Sequence, residues 1–219
     1  MPPIALSFAE AAPPGVQTFE HEVPSACTFW RKAETNVFYA PASKHFNCPI
    51  GAMTMGFDMP SNVQENLRQV VEKMFGAGYI SPEETGKIPS VKKKKSGIVY
   101  GPLKDFPVEA DLILMWLTPQ QAMLYTEAAG NCRWTENLPA AVFGRPTCAA
   151  LPVAFADTQS TFSLGCAGMR IFTQISDDRI LAVLPGGKAP DFVKGLAATA
   201  SANATMRTFY EDHKGKFAG

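Results

Sequence analysis

The stretch Asp111-Leu-Ile-Leu-Met-Trp-Leu117 restricts the fold of this chain more than any other. It is a continuous apolar run, the pattern of a strand buried on both faces, because a strand with one wet face alternates polar with apolar residues. It runs directly into Thr118-Pro119, an N-cap with proline at the first helical position, which predicts a helix to about Ala129. The same order returns later. Arg179 to Leu184 reads as an apolar strand, Pro185-Gly186-Gly187 breaks it, and a helix starts near Asp191 and ends before Gly215. Recurring strand-then-helix units predict an α/β or α+β layered fold.

The first half of the chain repeats the pattern. Ile4 to Phe8 reads as a strand closed by the turn Pro13-Pro14-Gly15. Ser25 is placed to cap a helix carrying Cys27, Trp30, Arg31 and Lys32, and Val37 to Ala40 is strand-like. Asn47-Cys48-Pro49 is a second helix start, leading into Ile50 to Met55. From Ser61 a helix carries Val63, Leu67, Val70, Val71 and Met74 on one stripe, and Gly76 and Gly78 end it. Pro82, Gly86, Pro89 and the run Lys92 to Lys95 read as an exposed loop, with a strand following at Ile98 to Tyr100. With 46% hydrophobic and 18% charged residues, the expected architecture is a single globular domain, residues 1–219, with two strand-helix halves around a mixed sheet.

Four of the five cysteines share a setting. Cys27 follows Ser25 by two, Cys48 lies between Asn47 and Pro49, Cys148 follows Pro146-Thr147, and Cys166 lies between Gly165 and Ala167. Each falls at or just inside a predicted helix start, where unpaired backbone N–H groups and the helix dipole favour thiolate, the form that binds metal. Cys132 follows the helix-ending pair Gly130-Asn131 and is set apart. The four form two pairs, 21 residues apart in the first half and 18 apart in the second. If the halves fold against each other, the pairs face one another across a crevice, a donor set suited to a [4Fe–4S] cluster or a structural zinc. No C-x₂-C spacing is present, so the competing reading is four small buried core residues.

Other residues join this candidate site. His45, three residues before Cys48, is a candidate ligand or proton donor. Arg31 and Arg170 each lie four residues after a candidate cysteine, placed to neutralise an anionic cluster or hold an anionic substrate. Haem is the alternative cofactor, with a cysteine, His45 or one of Met53, Met55 and Met59 as axial ligand. Neither Gly186-Gly187 nor Gly165-x-x-Gly168 makes a phosphate-binding motif.

Twenty basic against twenty acidic residues give no electrostatic footprint for nucleic acid, and the neutral balance makes a homo-oligomer an expectation. No apolar run approaches the roughly 20 residues that span a bilayer. The N-terminus lacks a basic n-region, and an odd number of cysteines argues against a disulfide scaffold, so a cytoplasmic protein with reduced thiols is expected. The implied partners are a small-molecule ligand or an electron-transfer protein.

At these same residues the sequence resembles a known family. Ser25-Ala-Cys27-Thr-Phe-Trp30-Arg31-Lys32-Ala33 and His45-Phe-Asn-Cys48-Pro49-Ile50-Gly51-Ala52 resemble the ArCR-type proteins, or "domain of unknown function 169". Gly101-Pro102-Leu103, the run from Asp111 to Gln121-Ala122, Cys148-Ala149 and Leu164-Gly165-Cys166-Ala167-Gly168-Met169-Arg170 continue it in order. The resemblance implies that Cys27, Cys48, Cys148 and Cys166 occupy the family's cysteine positions and that Cys132 does not. It strengthens the expectation of a metal or redox role without supplying a reaction.

Overall fold

The chain is described by a computed structural model over residues 1–92, 95–129, 141–143, 145–157 and 159–216. Its strands are β1 (Ile4–Ala9), β2 (Phe38–Pro41), β3 (Gly97–Pro102), β4 (Leu112–Leu117), β5 (Ala141–Phe143), β6 (Thr161–Ser163) and β7 (Ile180–Pro185). Its helices are α1 (Cys27–Lys32), α2 (Pro49–Thr54), α3 (Ser61–Gly76), α4 (Pro82–Thr85), α5 (Pro119–Ala128), α6 (Ala150–Asp157), α7 (Ala167–Thr173) and α8 (Ala189–Lys214).

The seven strands of the described residues join one sheet in the order β2-β3-β1-β4-β7-β6-β5. Neighbours run antiparallel except β5 and β6, which are parallel, so the sheet is mixed as expected. The two halves of the chain remain separate blocks within it. Strands β1 to β3 fill one side, β4 to β7 the other, and the seam is the β1–β4 pairing with Ile4 opposite Leu114. The apolar run that opens the argument is thereby the central strand.

Alternation of side chains sorts β4 onto two cores. Leu112, Leu114 and Trp116 join Leu6, Tyr100 and Leu181 under Phe29 and Trp30 of α1, Ala52 of α2, Leu151 of α6 and Met169 of α7. Ile113 faces the other way with Ala182 and Leu184, against Tyr125 and Ala128 of α5 and Phe192 of α8. Helices therefore cover both faces, which is why the strand has no polar register. Thr118 caps α5 as expected. Its hydroxyl accepts from the Gln121 N–H at 3.2 Å, and the Gln121 side chain accepts from the Thr118 N–H at 2.9 Å. Such a box contributes about 1 kcal/mol.

The Pro82 segment differs from the expected loop. It contains α4, held by a second capping box between Ser81 and Glu84. Lys93 and Lys94 lie outside the described residues, while Lys95 pairs with Glu10 at 2.8 Å. No helix among the described residues is long and apolar enough to cross a membrane.

Candidate metal centre

The four cysteines lie where the sequence places them, at helix beginnings on one face of the sheet. Cys27 is the first residue of α1. Cys48 is the N-cap of α2, with Pro49 next. Cys148 sits in the 3₁₀ turn Thr147–Ala149 that leads into α6. Cys166 is the N-cap of α7, where its sulfur accepts from the Met169 N–H at 3.5 Å. Sheet seam and helix starts bring two cysteines from each half to the wall of one cavity of about 360 Å³. Cys132 lies outside the described residues.

Ser25 does not cap α1; Ala26 holds that position. The Ser25 hydroxyl turns to sulfur instead, 2.9 Å from Cys27 Sγ and 3.8 Å from Cys48 Sγ. It ties the two first-half cysteines together. On the other side of Cys48, Gly51 leaves room for the thiol, since a Cβ there would stand 3.0 Å from Cys48 Sγ and 2.7 Å from Ala26 Cβ. The Thr54 hydroxyl of α2 donates to the Gly51 carbonyl at 2.9 Å, and the side chain stands near enough to Cys148 to oppose the rise of its thiol.

Electrostatics reverse one expectation from the sequence. Burial pushes the Cys27 thiol up to about 12, against the opposing Ser25 hydrogen bond, and Cys48 and Cys166 add to the rise. Burial also holds Cys148 well above the ordinary thiol range, with Cys48, Cys166 and Cys27 each contributing repulsion. The helix starts do not win for these two residues. α1 has only six residues, so its dipole is small beside the cost of burying a thiolate. The other three thiols nonetheless stand within electrostatic reach of Cys148.

Among the described residues, no three His, Cys, Asp or Glu side chains are gathered closely enough to hold a single ion as they stand. A cluster spreads its ligands over several iron atoms, so its cysteines stand farther apart than those of one ion. Two further observations fit a sulfur-rich group. Among the described residues, no carboxylate competes with the thiols in the cavity wall. Trp30 Nε1 and Thr147 Oγ1, on two wall residues each 1% exposed, are buried and have no hydrogen-bond partner among the described residues. Each unpaired group costs about 1–3 kcal/mol unless something bound supplies an acceptor. The residues present therefore suit a cysteine-bound cluster.

His45, Arg31 and Arg170 are placed elsewhere. His45 is fully buried in the aromatic core beside Phe29 and Phe57. Nδ1 lies 3.0 Å from the Pro41 carbonyl and Nε2 lies 3.0 Å from the Tyr100 hydroxyl. A carbonyl only accepts, so Nδ1 carries the proton and Nε2 accepts from Tyr100. Desolvation holds the ring to about 4, neutral, with no lone pair left for a metal. Arg31 points to solvent and grips Glu34 through two bonds of 2.7 and 2.8 Å. Arg170 donates to the carbonyls of Ser176, Leu164 and Arg179, fastening the loop after α7. None of the three lines the cavity. Of the methionines, Met53 lines it, Met55 is core, and Met59 packs at the core's edge. Arg145 does line it, and sequence spacing gave it no signal because no candidate cysteine or helix pattern points to it.

The family described as uncharacterised ArCR, domain of unknown function 169, matches residues 1–195. The chain belongs to that family. Comparison with the curated proteins and with the solved structures gave no match. The four cysteines of this ArCR chain all lie within the matched span, and so do β1 to β7.

Proposed function

We propose that this ArCR protein is a metalloprotein in which Cys27, Cys48, Cys148 and Cys166 hold a [4Fe–4S] cluster at the wall of a small-molecule cavity. The observation that carries the reading is the convergence of four thiols, two from each half of the chain, on one cavity. When bound, such a cluster supplies one-electron transfer, or a Lewis-acidic iron where one cysteine lets go. The protein's own residues prepare for it. Cys27 and Cys148 are protonated at neutral pH and must each release a proton on loading, which couples affinity to pH. The Ser25 hydroxyl stands against the sulfurs of Cys27 and Cys48, and the Met169 N–H donates to Cys166 Sγ, so polar groups already face three of the four sulfurs. The cellular setting that goes with this reading is the cytoplasm, with a small-molecule ligand or an electron-transfer partner.

Haem is the second reading, and His45 no longer serves it, since both ring nitrogens are engaged. The deciding measurement is iron, sulfide and zinc content with the visible spectrum of protein purified without oxygen. About four iron and four sulfide per chain are expected, lost in Cys48→Ala and kept in Cys132→Ala. Equal iron in the two variants overturns the assignment. Iron without sulfide, with a Soret band, transfers it to haem.

A further inference from the structure

Helix α3 carries the clearest apolar stripe in the sequence, yet the core takes only Val63 from it. Val70, Val71 and Met74 are half-buried and form a wall of the cavity, with Met53, Ile80 and Ile88 beside them and the thiols also on its wall. An amphipathic helix whose stripe faces unfilled space gains stability when an apolar body fills that space. The cavity, at about 360 Å³, lies at the lower end of the small-molecule range of about 300–1,000 Å³.

Among the described residues that line it, Arg145 is the one charged side chain. Its guanidinium lies over the Tyr79 ring, 4.3 Å from the centroid, and among the described residues no carboxylate pairs with it. The platform is itself fixed, because the Tyr79 hydroxyl accepts from the Ala167 N–H at 3.2 Å, next to Cys166. A guanidinium stacked on a ring leaves its in-plane N–H fork free, which matches a carboxylate with two parallel hydrogen bonds.

We propose that the cavity binds a small carboxylic acid with an apolar body, its carboxylate on Arg145 and its chain along the α3 wall. The proposal rests on reading this cavity as a small-molecule site and does not depend on which metal the cysteines hold. Arg145 is here a binding residue, and the α3 stripe supplies the contact for the chain.

The test is calorimetric titration of octanoate and of octan-1-ol into the full-length chain, as metal-loaded and as metal-free protein. Octanoate is expected to bind both forms, at least about tenfold tighter than the alcohol, the gain of one charge-assisted contact. In Arg145→Gln that preference disappears while the alcohol binds as before. Equal affinity for acid and alcohol in the unaltered protein overturns the proposal, as does binding of neither. Octanoate binding lost on metal loading also overturns it, because the metal group then fills the space. Metal content is read on the same samples, so a failed metal assignment appears there and leaves the titration to judge Arg145.

Discussion

His45 makes this protein sensitive to acid in a window that can be calculated. The ring is held neutral at about 4, first by desolvation and against the hydrogen bonds of the Pro41 and Ala42 backbone. In the unfolded chain the same ring titrates near 6.5. A base whose pKa is depressed by folding contributes stability that is present above the unfolded value and is lost as pH falls through the folded one. Between pH 7 and pH 5 the unfolded ring gains its proton and the folded ring does not, which lowers stability by about 2 kcal/mol. The ring is 0% exposed, so solvent screening does not reduce this figure. Urea unfolding of the unaltered protein and of His45→Phe, each at pH 7 and pH 5, isolates the effect. The variant is less stable at both pH values, because the Pro41 carbonyl and the Tyr100 hydroxyl lose their partner. Its loss between the two is expected to be smaller than that of the unaltered protein by about 2 kcal/mol. Parallel losses would refute the neutral, doubly bonded histidine.

Two further predictions concern the cysteines. In metal-free protein at pH 7.5, Cys27 reacts with iodoacetamide about a thousandfold more slowly than in the unfolded chain, since a thiol titrating at about 12 is almost wholly protonated there. Peptide mass mapping reads this, and equal labelling of folded and unfolded chains contradicts it. The sign is that of an acid raised by folding, so reactivity grows with pH, and the stability contributed by the neutral thiol falls progressively from about pH 9 to about pH 12. Gly51→Ala crowds Ala26 and Cys48. The overpacking costs about 1–3 kcal/mol, offset in part by about 1 kcal/mol of helix propensity. The expected outcome is a folded protein with less iron per chain, and metal content equal to that of the unaltered protein contradicts it.

Local signals in the sequence mark out most of the elements, and each has a local cause. The unalternating run at Leu112 to Leu117, the Thr118 cap and the stripe of α3 are all properties of a dozen residues or fewer. The helix-start placement of Cys27, Cys48, Cys148 and Cys166 is equally local, so the candidate ligands are legible before any fold is known. What residue spacing does not carry is anything that depends on which surfaces meet. Ser25 has the sequence of a cap and the structure of a sulfur partner, close to Cys27 two residues on and also within reach of Cys48, which arrives from 23 residues away. His45 looks like a ligand beside Cys48, but Tyr100, on a strand 55 residues distant, takes its second nitrogen.

The chain's own sequence thus determines strands, helix starts and the cysteine set, since these follow from backbone preferences and the period of apolar residues. Tertiary structure alone decides three things. The β1–β4 seam joins the halves and brings their cysteine pairs to one cavity. Burial outweighs the ends of short helices and raises the thiols of Cys27 and Cys148 instead of lowering them. Arg145 reaches that cavity across the ring of Tyr79, 66 residues earlier in the chain. Each is a long-range contact, and desolvation and Coulomb forces depend on distance in space, which residue spacing does not record.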